Sequence, residues 1–178
     1  MSKAVTITTN DSSIQIRDSI KALGWPHAWE TALRSNLARV VSLDEVKAAY
    51  ASLTPPRGID PTGEGWFEVL VLSKESLVRL LLSSRECQTS KVSLARITAI
   101  KTKTDHYIGP SQTSFSEQFR WEKITAVVVG MEESAAQLLG VEGAIRLPGP
   151  DDIRSSEEKT AILTEFLEAL TELGLPTS

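Results

Sequence analysis

The nine residues Val41-Ser42-Leu43-Asp44-Glu45-Val46-Lys47-Ala48-Ala49 return in pattern as Val92-Ser93-Leu94-Ala95-Arg96-Ile97-Thr98-Ala99-Ile100. Val, Ser, Leu and Ala stand at matching places, and Val46 answers Ile97. Taken alone, the first copy points two ways. Ser42 and Glu45 form a capping-box pattern that favours helix, whereas Val41 and Leu43 alternate as in a strand. The second copy is rich in β-branched residues and reads as a strand leading into the polar stretch Lys101 to Thr104. Matching the two copies predicts a strand through Val41 to Leu43 that passes into a short helical or turn-like segment from Asp44. Leu43 and Val46 then share the environments of Leu94 and Ile97. A collinear echo lies downstream of each copy: Val69, Val71, Glu75, Ser76, Leu80 and Leu81 against Val127, Val129, Glu133, Ser134, Leu138 and Leu139. Either the chain carries a degenerate duplication, or both segments obey the same strand patterning.

Outward from these copies, Val5 and Ile7, then Ile14 and Ile16 across Asn10-Asp11, predict an N-terminal β-hairpin. Ile20, Leu23, Trp29, Ala32 and Leu33 approximate a helical stripe from Ser19 to about Leu37, broken at Gly24 and Pro26. Thr54 to Gly65, with Pro55-Pro56 and three glycines, suits neither ladder nor helix and predicts a surface loop. Phe67, Val69 and Val71, the turn Ser73 to Ser76, and the apolar run Leu77 to Leu82 predict a second hairpin. Further strands are expected at Ile124 to Val129 and at Ala144 to Leu147, with a loop around Gly109-Pro110. The strongest element is last. Ser155 with Glu158 makes a capping box, Ile162, Leu163, Phe166, Leu167, Leu170 and Leu173 make one apolar face, and Gly174 and Pro176 close the helix.

The whole chain has 178 residues, 41% hydrophobic and 24% charged, which suits one ordinary domain or two small ones and excludes wholesale disorder. Nineteen basic against 23 acidic residues give a net charge of −4, so no general attraction to phosphate is expected, and nucleic acid is not an expected partner. The single Cys87 has no thiol to pair with, no secretory or membrane-spanning segment is evident, and a cytoplasmic location is expected.

Lys91-Val92-Ser93-Leu94-Ala95-Arg96-Ile97-Thr98-Ala99-Ile100 resembles the third-strand region of bacterial pleckstrin-homology-like (PH-like) domains, where a Leu-x-x-Ile-x-x-hydrophobic signature follows the strand start. The end of the chain is also similar to that family, with Ala144 to Pro148 as a last strand and Glu157 to Leu173 as the closing helix. The resemblance spans about residues 66–175. It implies an α+β fold: an antiparallel PH-like bent sheet or β-sandwich with a C-terminal amphipathic capping helix, plus an additional N-terminal hairpin and helical segment. The corresponding division is 1–65, a hairpin and helical region that is a degenerate repeat if the echo is real, and 66–178, the PH-like β-domain. The stretch Ser19 to Leu37 has no place in the plain seven-strand pattern.

Chemistry is sparse in the sequence. Asp105-His106 and Cys87, with Arg85 nearby, are the residues a hydrolase reading would use, yet no catalytic motif, phosphate loop or metal-ligand spacing frames them. Neither a catalytic residue, a metal site nor a cofactor is assigned. Lys91, Arg96, Lys101 and Lys103 form the candidate anion or lipid site, because alternate strand residues share a face; the same pattern also describes solvated edge charges. Trp25, His27 and Trp29 form a candidate protein-binding patch. The leading expectation is a non-enzymatic binding or scaffold module that recognises protein or associates with itself through sheet edges and the Trp-bearing region. An anionic-lipid or phosphoinositide adaptor and a small hydrolase are the alternatives.

Overall fold

The computed structural model describes residues 27–54, 66–83, 85–110, 117–149 and 155–175. The expected N-terminal hairpin, the Pro-rich loop beyond Thr54, and the tip between the long strands at 111–116 lie outside these residues. Within them the chain is α+β, with two antiparallel sheets and three helices. A helix, α1 (His27–Leu37), precedes four strands in sequential order: β1 (Val46–Thr54), β2 (Trp66–Ser73), β3 (Ser76–Leu82) and β4 (Cys87–Ser93). The second sheet holds β5 (Ile97–Pro110), β6 (Glu117–Met131) and β7 (Ala144–Leu147), with α2 (Glu133–Leu139) between the last two and α3 (Ser156–Glu172) at the end.

β1 pairs with β2 in antiparallel register, Ala49 opposite Val71 and Ala51 opposite Val69. The Pro-rich loop expected to separate two domains therefore connects neighbouring strands of one sheet.

The internal echo has a structural counterpart, though in a different form from the one expected. The strand does not run through Val41 to Leu43. Leu43–Glu45 is a single 3-10 turn and the strand begins at Val46. Likewise β4 ends at Ser93, Leu94–Arg96 is a 3-10 turn, and β5 begins at Ile97. Turn first and strand second is the outcome in both copies, because Val46 and Ile97 each enter a core while the residues before them must redirect the chain. The correspondence reaches the hydrogen bonds. Lys74 N–H donates to the Glu45 carbonyl and Glu132 N–H to the Arg96 carbonyl, both at 3.0 Å. Each strand is irregular two residues in, between Val46 and Ala48 and between Ile97 and Ala99. Val71 faces Ala49 as Val129 faces Ile100, and all four positions agree at one offset per strand. The downstream echo then breaks: β2 turns at Ser73 to Ser76 into β3, whereas β6 runs into α2, a helix the strand-to-strand matching did not anticipate.

Two apolar clusters follow from this layering. Val69, Val71, Val78, Leu80 and Leu82 point to the outer face of the first sheet, where Leu33 and Leu37 of α1 cover them. Leu70, Leu72, Leu77 and Tyr50 point inward and meet Ile100, Val127, Val129, Ile145 and Leu147 of the second sheet, together with α2 and α3. The continuous run Ser76 to Leu82 is thereby buried at every residue, as strands covered on both faces must be. The helical stretch without a place in the seven-strand pattern supplies that second cover.

Arg79 lies on the buried inner side of this arrangement. Its Nε donates to Glu68 Oε2 at 2.7 Å and one terminal nitrogen donates to the Leu139 carbonyl at 2.8 Å, at the C-terminus of α2. Gly140 follows in the left-handed region (φ 69°), and a Cβ there would stand 3.3 Å from the same guanidinium.

The closing helix forms as expected. The Ser155 hydroxyl accepts from Glu158 N–H at 3.2 Å, and Gly174 terminates the helix at φ 72°. Its buried line is Leu163, Phe166, Ala169 and Leu170, with Ile162, Leu167 and Leu173 only half-buried at its flanks. β5 differs from expectation at its far end, where strand pairing continues through Gly109 and Pro110 in place of a loop.

Phe166→Ala is expected to cost about 3–5 kcal/mol through its cavity, and Leu167→Ala distinctly less, since that side chain keeps solvent contact. Denaturant midpoints of the two variants check the order. Arg79→Met leaves Glu68 and the Leu139 carbonyl without their donor and should cost about 3–5 kcal/mol. A Glu68→Gln, Arg79→Met double variant that recovers part of that loss would identify the stranded carboxylate as its source.

Candidate functional sites

Edges decide where a sheet meets other molecules, because an edge strand carries unpaired N–H and C=O groups. In the first sheet, α3 packs on β1, and α1 and α2 pack on β4. In the second, β7 is four residues long. Among the described residues β5 is the other edge, fourteen residues long, and every side chain from Lys101 to Ile108 is exposed on both of its faces. Tyr107 and Ile108 are each 50% exposed, two of three large apolar side chains so placed among the described residues.

The edge is also geometrically regular. Where the β5–β6 ladder shifts register, at Lys103/Thr104 and Tyr107/Ile108, the skipped residues are Thr125 and Arg120, both on β6. β5 is therefore continuous from Ala99 to Pro110. Its Lys103 carbonyl faces β6, where it accepts the Thr125 hydroxyl at 3.2 Å. Strand alternation then turns the backbone groups of Thr102 and Thr104 away from β6.

The four expected anion-site residues do not form one cluster of available charge. Lys91, on β4, donates to the Val40 carbonyl at 2.8 Å. Arg96, in the second 3-10 turn, donates to Glu132 at 3.0 Å and contacts the Ser134 hydroxyl. Lys101 and Lys103 do share the exposed outer face of β5, alternating with Thr102. Of the expected Trp patch, Trp25 lies outside the described residues; His27 and Trp29 open α1, and their side chains also lie outside what is described.

The hydrolase residues do not converge either. Asp105 and His106 are consecutive on an extended strand and so project to opposite faces, whereas Cys87 starts β4 beside the cluster under α1. Burial pushes the Cys87 thiol above its ordinary value, and a contact with the Thr89 hydroxyl at 3.7 Å offsets part of that. Such a thiol is a poor nucleophile at neutral pH.

Sequence reasoning missed a polar cleft of about 470 Å³ lined by Val40, Val41, Ser42, Glu45, Ser73, Glu75, Ser76, Lys91 and Ser93. It lies where the first 3-10 turn, the β2–β3 turn and the end of β4 meet. Ser73 and Ser76 are buried with their hydroxyls 2.7 Å apart. Ser93 caps its 3-10 turn by accepting from Ala95 N–H, while Ser42, its counterpart in the other copy, makes no such bond. No motif spacing marks this cleft, because its residues come from three separate segments.

Among the described residues no group of three or more His, Cys, Asp or Glu is placed to hold a metal ion, and no helix is long and apolar enough to cross a membrane.

Neither the protein-family models nor the curated proteins give a match. Among solved structures, the hSac2 domain from human phosphoinositide phosphatase Sac2 is similar to this chain at 17% identity and a TM-score of 0.44, over 86% of this chain and 89% of that chain. A likeness of that degree assigns neither family nor activity.

The raised Cys87 pKa has a direct test. Its labelling by a thiol reagent is expected to be slower than that of free cysteine at neutral pH, with the half-maximal rate reached at higher pH than for the free thiol. Equal pH–rate profiles would place the thiol in water.

Proposed function

We propose that this chain is a non-enzymatic binding module of PH-like architecture that engages protein through the side of β5 turned away from β6. Support for the PH-like reading is the order of elements: four antiparallel strands, three antiparallel strands, and a C-terminal helix whose buried line closes the space between them. The observation that carries the binding reading is the contrast among edges. Both edge strands of the first sheet lie against helices on their faces, and β7 is short, whereas β5 is long, without an inserted residue from Ala99 to Pro110, exposed from Lys101 to Asp105, and at the margin of its sheet among the described residues. β-Strand addition uses such an edge: backbone hydrogen bonds provide affinity, and side chains at alternate positions provide selectivity. An intracellular, reducing setting suits the lone thiol. The anionic-lipid alternative loses weight because Lys91 and Arg96 already hold internal partners.

Thr104→Pro removes an outward N–H, and proline is tolerated at a strand edge whose N–H faces solvent. The variant is expected to fold, by an unchanged far-UV spectrum and a cooperative melt, and to lose whatever protein the tagged wild type captures from its native lysate. Undiminished capture by the folded variant would move the binding surface away from this edge.

A further inference from the structure

We infer that the polar cleft at the end of the first sheet is a binding site for a small zwitterion, a molecule of free-amino-acid size that carries both an amine and a carboxylate. The site is separate from β5 and does not depend on what meets that strand.

The cleft forms because the chain brings its turns to one end of the sheet. On one side the β2–β3 turn is held by Lys74 N–H, which donates to the Glu45 carbonyl, and on the other by Leu94 N–H, which donates to the Glu75 carbonyl, both at 3.0 Å. The backbones of two glutamates are thereby fixed, and both residues line the same space. Among the described residues neither carboxylate belongs to an ion pair. Two like charges facing one pocket repel, and an ammonium placed between them turns that repulsion into attraction.

The opposite pole is Lys91, two residues before Ser93 on β4 and beside the segment that follows α1. Its bond to the Val40 carbonyl, at 2.8 Å, is to a neutral group, so the ammonium keeps its charge and two further N–H donors. One cation falls short of the several that a membrane surface requires. It matches one carboxylate, and a charge-assisted hydrogen bond is the stronger kind. A ligand of a single sign would find one end of this cleft unfavourable, whereas a zwitterion satisfies both.

Hydroxyl groups supply the rest. Ser73 Oγ accepts from Ser76 N–H at 3.1 Å and stands 2.7 Å from Ser76 Oγ and 3.1 Å from the Ser76 carbonyl oxygen. It has one proton to give. Directed to the carbonyl, that proton leaves the Ser76 hydroxyl to donate back to Ser73; directed to the Ser76 hydroxyl, it frees the Ser76 proton for a ligand oxygen. The donor is buried and already in place, and only hydrogens move to release it. Ser42, whose hydroxyl caps nothing, lines the same wall. The volume, about 470 Å³, suits a small molecule, and the polar lining disfavours the apolar ligands that most such pockets take.

Titration of the whole ¹⁵N-labelled chain tests the inference, with amino acids whose amine and carboxyl groups are separated by one to four carbons as probes. At least one is expected to bind saturably, with a dissociation constant on the order of 1 mM, and to shift the Ser42, Ser76 and Ser93 amides. Acetate and methylammonium should each bind at least about tenfold more weakly than the best zwitterion, because each meets one pole only. Glu75→Gln, at an exposed side chain that leaves the fold intact, and Lys91→Met should each weaken that zwitterion about tenfold, and Ser76→Ala about threefold. No saturable shift with any probe up to about 50 mM, or binding indifferent to both Glu75→Gln and Lys91→Met, overturns the inference. Acetate binding as tightly as the zwitterions would make the cleft an anion site and overturn it equally. Thr104→Pro should leave this titration unchanged, so a failure here and a failure of the β5 reading are distinguishable.

Discussion

One buried guanidinium fixes how the molecule closes. Arg79 lies between β2, through Glu68, and the last turn of α2, through the Leu139 carbonyl. Removing a charge from water is expensive, and the arrangement holds because the charge meets both a carboxylate and the negative end of a helix. Gly140 completes it, since the turn away from α2 needs a left-handed residue and leaves little room for a side chain beside the guanidinium. On the far side of this contact β6 does not continue into a further hairpin. It hands the chain to α2, whose Ala135, Ala136 and Leu139 enter the common core.

From that closure follows the contrast between the two sheets. The first is covered on its outer face by α1 and on its inner face by the opposing sheet, α2 and α3, so its central strands β2 and β3 are buried at successive positions. The second is anchored at its root by Ile100, Val127 and Val129 and projects beyond the core at its far end. Under the proposed reading, stability and recognition are separated in space, with the exposed part of β5 serving the second and the surroundings of Arg79 and Phe166 the first.

The paired turns at Leu43–Glu45 and Leu94–Arg96 show how a repeat survives while its surroundings diverge. Equivalent hydrogen bonds, equivalent strand irregularities and equivalent valines persist in both hairpins. Beyond them one copy builds β3 and the other builds α2. The two serines both line the cleft and diverge only in the cap, which Ser93 makes and Ser42 does not.

Local chemistry in the sequence was sufficient for elements whose signals lie within a few residues of one another. The Ser155 cap, the Phe166 and Leu170 stripe, the Ser73 to Ser76 turn and the β7 strand were all legible for that reason, and so was the correspondence of Val41 to Ala49 with Val92 to Ile100. Their order of turn and strand was not, because Val41 and Val46 are buried alike and only packing against α1 and β2 decides which of them extends. Leu138 and Leu139 form a helix whose last carbonyl is met by Arg79, some sixty residues earlier, a partner that no local pattern announces. The candidate sites divide along the same line. Lys101 and Lys103 were visible as a same-face pair, but their place on a marginal strand of the described sheet depends on strand order, and the serine-lined cleft depends on segments that meet only when the chain has folded. Sequence records what each residue prefers among its neighbours; which edges stay open and which distant groups meet is settled by the packing that satisfies all of those preferences at once.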